Sequence, residues 1–202
     1  ALARVFLYLR ERGFEVITCP EAFTVMSANG MNMDFFSTEG MGKIVQGTVM
    51  GIQLSIEDGV ERVLRARGKP AVILCDRGSM DGSVYVTKAE FQQVMAGRNT
   101  NMVQLRDNRY SAVFHLVSAA DGAEAHYSLA NNKARTESLE EARQADKQTQ
   151  KAWVGHPHLY VLDNTSDFEV KMSRLIDVVS KVVGLPSNLK RRSAKFLLRV
   201  QP

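Results

Sequence analysis

Five consecutive apolar residues, Ala71-Val72-Ile73-Leu74-Cys75, run directly into Asp76-Arg77-Gly78. With no polar alternation, a run of this length reads as a strand buried on both faces, the pattern of a central parallel strand covered by helices. Polarity then switches within one residue. In open α/β sheets the ligand lies beyond the carboxyl ends of the strands, so an acid and a base at that position stand where chemistry is placed. An aspartate there suits Mg²⁺ or a proton, and an arginine suits phosphate. The same two residues also fit a strand end that needs only solvation or a mutual ion pair.

Other segments supply neighbours for this strand. Leu2, Val5, Phe6 and Leu9 recur at helical spacing up to Gly13, and Phe14–Thr18 alternates as a strand before Pro20-Glu21 turns the chain outward. Residues 27–42 are glycine-rich and polar and read as a long loop. Val45, Val49, Ile52, Ile56, Val60 and Val63 then mark one face of a long helix that Gly68-Lys69-Pro70 ends. Tyr110–Val117 reads as a third strand and Leu159–Leu162 as a fourth, the latter ending in Asp163-Asn164. Capping boxes at Thr87-Lys88-Ala89-Glu90, Ser138-Leu139-Glu140-Glu141 and Ser166-Asp167-Phe168-Glu169 open three further helices. His115, inside the third strand, reads as a satisfied core histidine, since nothing nearby supplies a second ligand at metal spacing. The expected fold is therefore α/β, with strands at 14–18, 71–75, 111–117 and 159–162 as parallel neighbours in one sheet. Glu21, Asp76 with Arg77, and Asp163 with Asn164 all fall at its carboxyl edge.

Composition narrows the classes. The 202 residues, 45% of them hydrophobic, are enough for one α/β domain and short for two. Two cysteines, Cys19 and Cys75, each near a strand end, read as reduced thiols in a reducing compartment, and the absence of a membrane-span run or leader pattern gives a cytoplasmic expectation. The net charge of +4 invites a nucleic-acid reading. Residues 190–202 alone hold Lys190, Arg191, Arg192, Lys195 and Arg199 with no acid; without those five, residues 1–189 stand at −1. A broad nucleic-acid footprint is disfavoured on that distribution. Residues 131–153 are unusually polar, fitting either a solvated helix or a lid whose arginines close on phosphates. No GxxxxGK followed by Ser or Thr occurs, and Gly40-Met41-Gly42-Lys43 fails that pattern because position 37 is Ser.

The residues Pro20-Glu21-Ala22-Phe23-Thr24, Asp76-Arg77-Gly78 and the run HLVSAADGAEAHYSLANNKARTESLEEARQADKQTQKAWVGHPHLYVLDN from His115 to Asn164 resemble the AAA-type P-loop ATPase domain. That domain is shared by the TRPL translocation defect protein family and bacterial nicotinamide riboside kinase. The resemblance covers residues 1–185 and implies a three-layer, kinase-like P-loop fold whose first strand and Walker A loop stand immediately before the helix that begins at Ala1. Residues 186–202 are similar to the linker and opening strand of a CYTH-like domain that handles phosphorylated ligands. Residue by residue, it implies that Asp76 holds Mg²⁺, that Glu21 faces the second substrate as a base, and that Arg135 and Arg143 are lid arginines. Arg77, Asp163 and Asn164 join them as nucleotide-side candidates. The expected activity is a Mg²⁺-dependent ATPase, GTPase or small-molecule kinase acting on a nucleoside triphosphate and an unidentified phosphate acceptor. The alternative, from a different class, is a regulatory module that binds nucleotide and phosphoinositide headgroups without turnover.

Overall fold

The computed structural model describes residues 1–36, 38–124 and 138–186. Helix α1 (Leu2–Glu11) leads through Gly13, whose φ of 87° lies in the left-handed region that glycine adopts without strain, into strand β1 (Glu15–Cys19). A short helix α2 (Ala22–Ala28) comes at once, and the long helix α3 (Met41–Arg67) returns to strand β2 (Ala71–Cys75). Beyond β2 come a 3-10 turn at Asp81–Tyr85, helix α4 (Lys88–Ala96), a π-helical turn at Val103–Asp107 and strand β3 (Val113–Leu116). Helix α5 (Leu139–Trp153), strand β4 (Leu159–Leu162) and helix α6 (Phe168–Val182) complete the described fold.

The strands pair in parallel twos, β1 with β2 from Glu15↔Ala71 to Cys19↔Cys75, and β3 with β4 from Val113↔Leu159 to Leu116↔Leu162. The two ladders are not bonded to each other among the described residues. They nevertheless run the same way. Helix α1 packs back along β1 and helix α6 back along β4, and these two helices lie side by side in the same sense: Arg4 meets Glu169 at 2.7 Å near their N-termini, and Tyr8 meets Ser180 at 2.5 Å further along.

Burial arranges helices on both faces of these strands. Val5 and Leu9 of α1, Val16 of β1, Leu162 of β4 and Met172, Leu175 and Val179 of α6 form one core cluster, with Phe114 and Leu116 of β3 against it. A second cluster, built on Met50, Phe91, Val94, Met95 and Trp153 from α3, α4 and α5, takes Val113 of β3 instead. Successive β3 side chains thus point into opposite clusters, as the two-residue period of a strand requires.

Several local expectations change. The segment after Pro20-Glu21 is not simply an outward turn, because α2 starts there. The third capping box is displaced by one residue: Asp167, not Ser166, is the N-cap, its carboxylate accepting from Val170 N at 2.9 Å. Ser166 Oγ is left buried without a partner among the described residues, and Glu169 pairs with Arg4 rather than reaching back to the cap. The valine and isoleucine stripe of α3 is also not its most buried face. That face carries Val45, Gln46, Met50, Gln53, Glu57 and Leu64, while Val63 is 56% exposed. Buried Gln53 and Glu57 are tolerated there because both are hydrogen-bonded. Finally, among the described residues β2 is paired on one side only, and every one of its residues is half-buried rather than buried. The basic segment after Lys190 and the lid residue Arg135 lie outside the described residues.

Candidate functional site

The carboxyl ends of β1 and β2 are tied together, so the segments leaving the two strands are brought to one rim. Asp76 N donates to Cys19 O at 3.2 Å, extending the ladder one step past the last strand pair and placing Asp76 beside Pro20-Glu21. Glu21 sits at the N-cap of α2, where its carboxylate accepts from Thr24 Oγ1 at 2.8 Å. Arg77 brings its Nε to 3.8 Å from the other Glu21 oxygen. Asp76 is exposed on this rim, and its carboxylate makes no hydrogen bond or ion pair with a described residue. Burial works against the Arg77 charge, but Asp81, Glu21, Tyr85 and Asp76 around it raise its pKa overall.

A polar seam beneath the rim holds these loops in register. Gln53 Oε1 accepts from Ala22 N at 3.2 Å, and its Nε2 donates to Arg77 O at 3.1 Å and to Glu57 Oε1 at 2.7 Å. One α3 side chain therefore grips both the residue after Glu21 and the residue after Asp76. Glu57 in turn receives Arg109 Nε at 2.5 Å and the Tyr110 hydroxyl at 3.1 Å, and that hydroxyl accepts from Ser79 N at 2.9 Å. Burial and the nearby Glu57 push the Cys75 thiol up, which keeps it neutral.

Asp81 closes the loop after the strand. Its carboxylate accepts from Gly78 N at 2.8 Å and from the Trp153 indole at 2.6 Å. Burial raises its pKa, with the Gly78 amide, the Trp153 indole, Arg77 and His115 pulling the other way. The glycine of Asp76-Arg77-Gly78 has a steric cause as well. A Cβ at Gly78 would stand 2.6 Å from Trp153 Cζ2, and Trp153 is only 4% exposed.

The other expected residues are placed elsewhere. Asp163 accepts from Arg174 at 2.8 Å and from Thr165 Oγ1 at 2.6 Å; Arg174 first, and then Thr165, hold its carboxyl well below the usual range. Asn164 Nδ2 donates to the carbonyls of Ser118 and Asp121 at 2.8 and 2.6 Å and its Oδ1 accepts from Lys171, which ties the end of β4 to the end of β3. Arg143 on α5 donates to Ala120 O at 2.5 Å and pairs with Glu124 at 2.7 Å. None of the three lines the 1560 Å³ cavity that Glu21, Asp76 and Arg77 border. His115 is 8% exposed with Nε2 3.3 Å from Asp146 Oδ2, a satisfied core histidine. Gln53, Glu57 and Asp81 were not legible as site residues. A polar residue on the inner face of an apolar helix was the available signal for the first two.

Parallel strands with an acid and an arginine past the end of the second fit a domain model that spans most of the chain: the AAA domain matches residues 4–171. The chain belongs to this family. No curated protein and no solved structure matches it. Membership in the AAA domain family makes this a P-loop NTPase-type domain, whose members bind a nucleoside triphosphate with Mg²⁺. The donor set of this AAA domain suits that metal in one respect. Among the described residues no group of three His, Cys, Asp or Glu is placed to hold an ion. Mg²⁺ does not need one, because it is commonly bound through one or two carboxylates with phosphate oxygens and water completing the octahedron. Asp76 offers one exposed carboxylate on this rim. No described helix of the AAA domain is long and apolar enough to cross a membrane.

Proposed function

We propose that the carboxyl rim of β1 and β2 is the metal and phosphate side of a Mg²⁺-nucleoside triphosphate site, and that the domain is an NTPase or small-molecule phosphotransferase using ATP or GTP. The observation that carries this is the convergence of Glu21, Asp76 and Arg77 on one rim, fixed from below by Gln53. Asp76 would hold the metal, and Arg77 would meet phosphate oxygens. Glu21, hydrogen-bonded by Thr24 and facing the same opening, is the candidate base for an acceptor hydroxyl. Mg²⁺ would supply neutralisation of the charge on the transferring group, and phosphoryl transfer asks little else of a protein than positioned charge.

The phosphate cradle is not supplied by these 202 residues, which contain no GxxxxGK. A kinase-like first strand and phosphate loop would therefore stand ahead of Ala1. Arg143 would act only in a closed state, after exchanging Ala120 and Glu124 for phosphate, with Arg135 beside it. Asp163 and Asn164 would keep the base of that lid in place. Residues 186–202 would begin a CYTH-like unit, whose cations would meet phosphorylated headgroups.

The test is nucleotide binding and phosphate release by a longer form of the protein carrying a strand and phosphate loop before Ala1, with and without Asp76→Asn. An amide lacks the charge the cation needs, so affinity for the Mg²⁺-nucleotide or turnover should fall at least tenfold. Unchanged values would leave Asp76 a strand-end residue. Tight binding with no turnover of any nucleotide would replace the enzyme with a regulatory nucleotide-binding module.

A further inference from the structure

We infer that Cys19 and Cys75 are an oxidisable dithiol: under a peroxide they close a disulfide across the ends of β1 and β2, and that bond fixes the rim above them. The chain has two cysteines in all, and both are free thiols. The ladder sets them opposite each other as the last pair of its register, Cys19↔Cys75. Backbone bonds hold that register at both ends, Glu15 N to Pro70 O at 2.9 Å and Asp76 N to Cys19 O at 3.2 Å. Neighbouring strands lie about 4.8 Å apart. A disulfide spans Cα atoms roughly 4.4–6.8 Å apart, so the pair needs no movement of either strand to be bridged. Partners in a parallel register carry their side chains on the same face of the sheet. Here that is the α3 side, because Glu57 acts on both thiols, and the two sulfurs lie within hydrogen-bonding reach of each other.

The oxidant is hydrogen peroxide. Cys75 is half-buried and Cys19 fully buried, so the peroxide reaches Cys75 first. The Cys75 sulfur attacks one peroxide oxygen, the O–O bond breaks, water leaves with the thiol proton, and Cys75 becomes a sulfenic acid. The Cys19 sulfur then attacks the Cys75 sulfur. An S–S bond forms, the S–O bond breaks, and the hydroxyl leaves as water with the Cys19 proton. Two thiols and one peroxide thus give one disulfide and two waters. Burial keeps both thiols neutral, so closure is a matter of minutes to hours rather than seconds. Its effect falls on the rim. Pro20-Glu21 follows Cys19 directly and Asp76-Arg77 follows Cys75, and the bond from Asp76 N to Cys19 O is the last rung between the two segments. A covalent link beside that rung stops it from fraying. This inference holds whether or not the domain binds a nucleotide.

Peroxide treatment of the reduced, folded protein tests it, followed by unfolding, alkylation and mass spectrometry of the intact chain and of its peptides. Both thiols should be lost together, giving a monomer lighter by two hydrogens and a peptide pair joined through Cys19 and Cys75, and dithiothreitol should restore both. In Cys19→Ser the sulfenic acid at Cys75 has no partner, so its capture by dimedone should exceed that in the parent at least tenfold. Amide exchange at Asp76 should slow at least threefold in the oxidised parent, while that of Val72, near the other end of the ladder, should change little. Thiols that survive peroxide in the folded protein overturn the pairing. So does a parent in which Cys75 is over-oxidised or links two chains while Cys19 can still be alkylated, and so does equal dimedone capture in parent and variant. A disulfide that forms yet leaves Asp76 exchange unaltered overturns the lock on the rim. None of these readouts uses a nucleotide, so failure here leaves the proposed function standing, and failure of nucleotide binding leaves the dithiol standing.

Discussion

Replacing Glu57 by leucine should be among the most damaging single changes available outside the apolar core. Its carboxylate is 7% exposed and receives Arg109, Tyr110 and Gln53 together. Leucine keeps roughly the volume but strands the Arg109 guanidinium, which is 20% exposed and retains Asp58 at 2.7 Å and the Leu54 carbonyl at 3.3 Å. Removing one partner of a buried ion pair costs about 3–5 kcal/mol, because the other charge stays behind. For a chain of this length each kcal/mol moves Tm by about 2–4 °C, so a loss of roughly 6–20 °C is expected. The Asp58 contact places the outcome toward the lower end, since the arginine is not wholly unpaired. Glu57→Leu combined with Arg109→Met should recover much of the loss, because the second change removes the stranded charge. Urea unfolding monitored by circular dichroism reads all three proteins. A Glu57→Leu cost under about 1 kcal/mol, or a double variant no more stable than the single one, would refute the argument that this seam is held as a charged unit.

The loop after β2 gives two further expected outcomes. Gly78→Ala forces a methyl against Trp153 and should destabilise by about 1–3 kcal/mol, read as a lower urea midpoint; an unchanged midpoint would mean the indole yields freely. Asp81 has its folded pKa raised by burial, so its contribution is fully present below the unfolded value near 3.9 and is lost as pH rises through the folded value. The stability of the parent relative to Asp81→Asn should therefore improve on going from pH 7 to pH 5, and a gap that is constant or moves the other way counts against it.

The features legible in the sequence were mostly local. Thr87 and Ser138 cap their helices with reciprocal Glu90 and Glu141 bonds, because a capping box is satisfied within four residues. Leu159–Leu162 forms the strand expected. Ser166 failed as a cap for an equally local reason: an aspartate stands next to it and takes the same role one residue later. The α3 seam was illegible because hydrophobic periodicity cannot register a polar residue whose partners, Arg77, Arg109 and Tyr110, lie 24 to 53 positions away. At the site, the two strand ends that are hydrogen-bonded neighbours, those before Glu21 and Asp76, converged as read. Asp163 and Asn164 belong to the other ladder and are taken up by Arg174 and by the carbonyls just past β3.

An unbroken apolar run belongs between two neighbours, yet among the described residues Ala71–Cys75 has one. If β2 were meant to be an edge, the residues facing the gap should be defended, and selection against aggregation leaves such defences in sequence. They are absent from β2 and from β3, the two strands on either side of the same cavity. A single undefended edge would be weak support, since one apolar strand can be sheltered by a helix. Two such edges of the same sense, each with alternate amides facing the other across one void, show that neither strand is built as a free edge. The rim that Gln53 holds together, with Asp76 and Arg77 on it, stands at the end of β2 beside that void.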